Sequence, residues 1–307
     1  MDTMANKKIG GKMNKIAQYQ NGNYTVTIFD DGTKIRENDL EFFEADFPES
    51  MDCKITNRCP MGCLMCHEQS TPDGLHGDIM NVEFIDKLHR GTEMAIGGGA
   101  VTSHPDLIPF LKKLKEIGVI ASITVHQREY LNNKNLINTL ISENLIYGLG
   151  ISFSSCDDEF WNEVLDNKNA VVHLIAGIHG REVFDYFAKK HAKILILGYK
   201  DFGRGHNLLE TSTGFIENKI NWLRNDLKNY LKDFSVVSFD NLAIEQLNVK
   251  DILTISQWNE FYQGNDGTHT MYVDLVKKQF AKTSTSVDRF ELLEDIKDMF
   301  KKIKENC

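Results

Sequence analysis

Three cysteines stand within eight residues, in the run Cys59-Pro-Met-Gly-Cys63-Leu-Met-Cys66. Thiols set this closely act as metal ligands, redox pairs or disulfide partners. The chain has 307 residues and six cysteines, the others being Cys53, Cys156 and Cys307. Disulfide frameworks belong to short secreted chains, so a ligand set is the expected use here. A tetrahedral zinc site needs a fourth donor, and His67 sits too close to Cys66 in sequence to join the same ion. Three thiolates at x3 and x2 spacing suit three irons of a [4Fe–4S] cube, with the fourth iron open to another ligand. On the residues alone, zinc remains the alternative.

Such a loop must be positioned by the elements around it. Short β-rich runs alternate with amphipathic helical runs, the signature of βα units and a parallel sheet. Strands are predicted at 51–56, 93–97, 119–125, 147–153, 170–176 and 193–197. Between them fall a helix capped at Asn81 and helices at 105–117, 134–144, 157–165 and 181–191. Leu107, Leu111, Leu114 and Ile117 give the second of these an apolar stripe at helical spacing. Six units make most of a (β/α) barrel, so the expected α/β fold is a partial (β/α)6 TIM-like barrel over 51–206. In that architecture the active site lies at the C-terminal strand ends, where the cysteine loop opens.

The flanks read differently. Residues 1–15 carry lysines with no apolar core behind them, so they read as a disordered leader and not as a signal peptide. Residues 16–50 hold a β-hairpin around 24–29 and a connector whose acidic residues (Glu41, Glu44, Asp46, Glu49) read as solvated. Residues 207–307 form an α+β extension packed on the barrel. It comprises a helix at 215–234, a strand at 235–239, a hairpin of 271–276 and 279–283, and a closing helix at 289–304. Hydrophobic residues make up 41% and charged residues 26%, ordinary values for a globular chain. Lys and Arg number 35 against 44 Asp and Glu, a net charge of −9. That balance argues against bulk nucleic acid or an anionic membrane as partner. No apolar run approaches the roughly 20 residues of a membrane span, and the expected location is the cytoplasm.

The run from Lys54 through Cys59, Cys63 and Cys66 resembles the CxxxCxxC signature of the radical S-adenosylmethionine (SAM) superfamily. The resemblance spans about 51–204. It implies that the three cysteines hold a [4Fe–4S] cluster and that SAM chelates the open iron. One electron from the cluster then cleaves SAM to a 5′-deoxyadenosyl radical, which abstracts hydrogen from a small-molecule or peptide substrate. An external donor of flavodoxin or ferredoxin type would supply the electron. The protein places SAM and substrate, while the cofactor carries the chemistry.

Other positions follow from the same resemblance. Gly97, Gly98 and Gly99 match the segment that cradles the methionine end of SAM, with Ala100 where the family has glutamate. Ser152 ends the fourth strand, where a polar contact to SAM is usual. Ile175 in Ile175-Ala-Gly177 resembles the segment that packs on adenine. Gly198 and Tyr199 end the sixth strand, and the backbone of His67 follows the third cysteine; both meet the adenine edge in the family. Beyond the resemblance, His126 and Gln127 face the expected substrate side, while Asp201, Arg204 and His206 follow the sixth strand in a Gly-rich loop. Cys156 reads as a free thiol or a substrate-linking group, and Cys53 as a buried apolar residue. The alternative from another class is a non-catalytic iron–sulfur or zinc-binding barrel protein.

Overall fold

The computed structural model describes residues 14–40 and 42–306, so most of the expected leader, Glu41 and Cys307 lie outside the described residues. Three antiparallel strands come first, β1 (Lys15–Asn21), β2 (Tyr24–Phe29) and β3 (Lys34–Glu37), paired in that order. The expected hairpin is present, with β3 added to its open edge.

The second sheet has ten strands. Chain order gives β4 (Ser50–Thr56), β5 (Glu93–Gly98), β6 (Ile120–His126), β7 (Gly148–Ser152), β8 (Ala170–Ile175) and β9 (Lys193–Leu197). There follow β10 (Val236–Phe239), β11 (Thr270–Asp274), β12 (Gln279–Ala281) and β13 (Phe290–Glu291). Their spatial order is β10-β9-β8-β7-β6-β5-β4-β11-β12-β13. The six predicted parallel strands are neighbours as expected, and the parallel run continues into β10 on one side and β11 on the other. The expected hairpin across Lys277 and Lys278 is β11–β12.

Among the described residues ten α-helices connect or flank these strands: α1 (Leu107–Ile117), α2 (Gln127–Asn132), α3 (Lys134–Ser142), α4 (Asp158–Leu165), α5 (Arg181–Ala188), α6 (Arg204–Tyr230), α7 (Asn241–Gln246), α8 (Val249–Ile252), α9 (Ile255–Phe261) and α10 (Ile296–Glu305). The alternation along the strands decides which sheet face they cover. Ala121, Ile123 and Val125 of β6 and Leu149 and Ile151 of β7 are buried with Leu107, Phe110 and Phe184 of the helices in one core. The residues between them (Ser122, Thr124, His126, Gly150, Ser152) stay partly open. A parallel sheet covered on both faces reads as continuous apolar strands, so this alternation marks one covered face and one open polar face.

The expected barrel is not closed by strand pairing, since β10 and β13 are not paired to each other. The sheet nonetheless curls. Lys200, just past β9, donates to Ser284 Oγ, just past β12, at 2.9 Å. In a flat sheet those strands would stand about 34 Å apart, seven spacings of roughly 4.8 Å.

Other expectations need correction. No helix starts at Asn81, whose amide groups bond to Asp78 instead, and only a 3-10 turn at Glu83–Lys87 forms there. The closing helix begins at Ile296 behind an Asp295 cap, because residues 290–291 are taken by β13. The long helix starts earlier, at Arg204, with non-helical backbone at Ser212.

Glu49 is the largest departure from the solvated connector. Its carboxylate is fully buried and accepts both Nε and Nη2 of Arg36, at 2.7 and 2.9 Å, and the Tyr24 hydroxyl at 2.5 Å. Lys34 Nζ lies 3.2 Å away and His269 Nδ1 3.4 Å away. Burial alone would raise this carboxyl, but the Arg36 bonds and the charges of Lys34 and Arg36 hold it down at about 2. This network fastens the first sheet to β4 and to the start of β11.

Glu49→Ala would remove the shared buried acceptor of partly buried Arg36 and of Tyr24, while Lys34 keeps Glu93, so the loss should be smaller than the full cost of breaking a buried pair, about 1–3 kcal/mol. Urea unfolding should show that loss. Acid should act through the histidines as well. Burial pushes His173, His179 and His269 down to about 4, against an ordinary 6.5. Between those values the unfolded chain binds protons that the fold refuses, so stability falls as pH falls from 6.5 towards 4. An unchanged urea midpoint between pH 7 and pH 5 would contradict this.

Candidate cofactor site

The three cysteines lie on an irregular loop leaving the C-terminal end of β4. No ladder fixes this backbone, so its contacts are local or borrowed. Cys59 N–H donates to the Thr71 carbonyl at 2.7 Å, Thr71 N–H to Asn57 at 3.1 Å, and Asn57 N–H to Leu75 at 2.8 Å. The far end is held from α6. Arg204 gives its Nε to the Cys63 carbonyl (3.0 Å), its Nη1 to Ser70 (2.9 Å) and its backbone N–H to Cys66 (3.1 Å). Arg128 Nη2 meets the Met61 carbonyl at 3.2 Å. Arg204 therefore starts a helix and clamps the cysteine loop; it does not sit in a loop aimed at a ligand.

Cys59, Cys63 and Cys66 are free and half-buried. Burial pushes the Cys59 and Cys63 thiols up, and neighbouring thiols add to the effect. A metal must displace those protons, so loading favours higher pH. Among the described residues no three His, Cys, Asp or Glu side chains converge on the position of one metal ion.

The glycine segment sits beside this loop, and its three glycines differ. A Cβ on Gly97 would meet nothing within 4 Å. Gly98 has φ +113° and would place a Cβ 2.4 Å from the Thr56 carbonyl. A Cβ on Gly99 would lie 2.3 Å from the Arg58 carbonyl, and its N–H donates to Thr56 at 2.7 Å. Gly98 and Gly99 thus serve the packing of the cysteine loop against β5, while at Gly97 a side chain would point into open space. Ala100 is buried, with its N–H on Arg58 and its carbonyl capped by Ser103. A carboxylate on this side comes from α2. Buried Glu129 accepts from the N–H and hydroxyl of Thr102, at 2.9 and 2.8 Å, and burial raises its carboxyl.

His67 faces charge on the polar side of the sheet. Its Nε2 is 3.5 Å from both Lys200 Nζ and Glu68 Oε1. Burial, then the charges of Lys200 and Lys54, hold it well below its ordinary value, so it is neutral. Glu68 also receives Lys54 Nζ at 2.6 Å and the Tyr272 hydroxyl at 2.8 Å, and Asp274 lies 3.4 Å from Lys54. Lys54, Glu68, Tyr272 and Asp274 were missed in the sequence. Two charged residues within a largely buried strand, Asp52 and Lys54, were the signal that could have found them.

The remaining positions are brought to the same strand ends with different freedom. Ser152 ends β7 between His126 and His173, and its hydroxyl makes no hydrogen bond among the described residues. Ile175 N–H is taken by His179 Nδ1 at 2.7 Å. Gly198 N–H donates to Asp240 (2.8 Å), and Gln246 grips Tyr199 at both N–H (2.8 Å) and C=O (2.9 Å). These backbone donors are occupied within the fold. His126 caps α2, and Gln127 is buried against Ser154 and Ser155, so both are structural. Asp201 and His206 form an exposed pair with each other. Cys156 is exposed, with its thiol pushed up by desolvation and then by Glu182 and Asp158, the opposite of an activated thiolate.

No family model and no curated protein matches this sequence. Among solved structures the fold is similar to that of SuiB from Streptococcus suis. One SuiB structure aligns with a TM-score of 0.57 at 11% identity, covering 92% of this chain and 86% of that one. SuiB bound to the precursor peptide SuiA gives 0.56 at 12%, covering 84% and 65%. SuiB bound to S-adenosylmethionine gives 0.50 at 12%, covering 84% and 64%. This chain thus spans just under two thirds of SuiB in its two ligand-bound structures, and the likeness is one of fold.

Proposed function

We propose that this protein is a radical SAM enzyme. The observation that carries the reading is the placement of Cys59, Cys63 and Cys66 at the C-terminal end of a parallel strand, beside the open side of Gly97. The fold's likeness to SuiB, which has been captured with SAM, supports it. The donor set fits the group. A cube asks three thiolates to surround its corners, one iron each, and not to converge on one point.

When bound, the cluster and SAM supply one-electron reductive cleavage and a hydrogen-abstracting 5′-deoxyadenosyl radical. The chain's own residues bind and orient. Cys59, Cys63 and Cys66 hold the cluster, and Arg204 fixes the loop that carries them. Gly97 leaves room for the methionine end of SAM, whose ammonium group is offered the carbonyls of Gly97–Gly99. Buried Ala100 supplies no carboxylate to it. The Ser152 hydroxyl is available to the ribose or carboxylate of SAM. The His67 backbone and Ile175 would hold the adenine end, with Gly198 and Tyr199 contributing shape, because Asp240 and Gln246 already hold their N–H groups. The substrate is a small molecule or a peptide, and an external flavodoxin- or ferredoxin-type donor supplies the electron. No helix among the described residues is long and apolar enough to cross a membrane, and the cytoplasm is the proposed location.

Anaerobic reconstitution should give about four irons and four sulfides per chain, with dithionite-dependent SAM cleavage. Cys59→Ala, Cys63→Ala and Cys66→Ala should each abolish both, whereas Cys156→Ala should keep both. A protein that loads zinc and leaves SAM intact would refute the reading.

The glycines separate space from strain. Gly97→Val should leave the melting temperature unchanged and weaken SAM binding at least about tenfold, because its side chain enters the space assigned to the cofactor. Gly98→Ala should instead destabilise the fold by about 1–3 kcal/mol, through its backbone angle and the Thr56 carbonyl. Full SAM affinity in Gly97→Val, measured by anaerobic titration, would move the cofactor elsewhere.

A further inference from the structure

The long helix α6 is built in two unlike halves. Its second half buries Ile216, Leu223, Leu227 and Tyr230 against the protein. From His206 to Phe215 no residue is buried, and Phe215 is 60% exposed. Helices in proteins are held mainly by the packing of an apolar face, so the first half has little to hold it along its own length. From His206 to Thr213, every side-chain hydrogen bond and ion pair among the described residues stays within 201–213.

The junction of the halves is weak for a reason written in the sequence. Thr211-Ser212-Thr213-Gly214 is a run of four poor helix formers. Thr211 Oγ1 donates to the Asn207 carbonyl at 3.1 Å and Thr213 Oγ1 to the Leu209 carbonyl at 2.6 Å, bonds that bend a helix. Between them Ser212 leaves helical geometry, at φ −140° and ψ 26°. Ser and Gly positions are where such breaks fall.

The other end is a latch. Gly203, at φ +59°, brings the chain so close to the cysteine loop that a Cβ would lie 2.4 Å from the His67 carbonyl. Arg204 makes its three bonds to Cys63, Cys66 and Ser70, and the Tyr199 hydroxyl donates to the Gly205 carbonyl at 2.6 Å. Just before the latch, Gln246 grips Tyr199 and Ser284 receives Lys200. The chain is thus fixed at Lys200 and again at Ile216, and between those points only the latch ties it to the loop it crosses.

We propose that residues 201–213 are a strap that opens and closes over the cysteine loop, hinged at Ser212, and that its release admits the iron–sulfur cluster to the three thiols. Closed, Arg204 pins the carbonyls of Cys63 and Cys66. Open, it leaves a loop held only by its own turns and by Thr71, free to part around a cube. The strap rests on the enzyme reading only for what enters, since its opening requires no cluster.

Hydrogen–deuterium exchange of the cluster-free protein tests the motion. Amides of 206–213 should exchange at least about tenfold faster than those of 217–229, because opening leaves the packed half intact. The Cys66 and Gln69 amides, bonded within the loop, report its release. Ser212→Gly frees the hinge and should quicken exchange of the strap and of these two amides together, about two- to threefold. Gly214→Ala, whose Cβ meets nothing within 4 Å, should slow both about fivefold. Equal exchange in the two halves, or loop amides that ignore both variants, overturns the strap. Anaerobic reconstitution with ferrous iron and sulfide tests the gating: initial uptake should rise in Ser212→Gly and fall in Gly214→Ala, with equal final iron content. Unchanged uptake beside altered exchange overturns the gating part. A wild-type chain that takes up no cluster overturns the enzyme reading and the gating together, while the exchange data still decide the strap.

Discussion

Three thiols on irregular backbone cannot hold a fixed triangle by themselves, and the fold depends on how that loop is held. The answer is Arg204, which reaches the loop from the start of α6, behind a strand five places from β4 in the sheet. A guanidinium shared between two carbonyls is a charge-assisted, planar clamp, stiffer than the turn hydrogen bonds within the loop. It works only if the sheet curls far enough to bring β9 back over β4. The Lys200–Ser284 bond shows the same curl, joining the ends of β9 and β12. Curl, clamp and loop are therefore one arrangement, and none has a reason to persist without the others.

The polar face of the sheet carries a cost that the covered face does not. Lys54, Glu68 and Asp274 are charged groups with little access to water, joined at 2.6 and 3.4 Å. Such networks add little net stability over apolar packing, and their best-attested use is to specify one geometry. Here the geometry specified is the height of the loop after Cys66, since Glu68 also receives Tyr272 from β11. The neutral state of His67 follows from the same surroundings: it is partly buried, and Lys200 and Lys54 stand close by.

Much of the architecture was legible from the sequence because local periodicity carried it. The period-2 runs of β6 and β7 and the stripe of Leu107, Leu111 and Leu114 are set by burial on one face, which neighbouring residues reveal. The three cysteines stood out because of their spacing, and the fold carries all three on the one loop that leaves β4. What failed was decided by distant residues. Glu49 looked like one more acid in an acidic run, and only Arg36 and Lys34 from β3 make it a buried anchor. Phe84, Ile85 and Leu88 have helical spacing, yet the backbone at Leu88 is extended and only one turn forms. Arg204 stood out in the sequence, but its role lay in carbonyl groups that no side-chain pattern encodes. Gly98 could not be told from Gly97 until the carbonyl of Thr56 was in place beside it.

The pairing of β4 with β11 sets an order of events. Ser50 lies opposite Thr270, so the strand leading into the cysteines finds one of its two neighbours only after most of the chain has been made. Contacts of such sequence separation form late and slowly, because the intervening chain must be ordered first. During synthesis at a ribosome, β4 to β9 can assemble while one edge of β4 stays bare, exposing a row of unpaired peptide groups beside the thiols. Tyr272, whose hydroxyl fixes Glu68, arrives with the missing strand. The loop acquires its final footing from the last fifth of the polypeptide, so a nascent or truncated chain would hold its cysteines without the framework that aligns them.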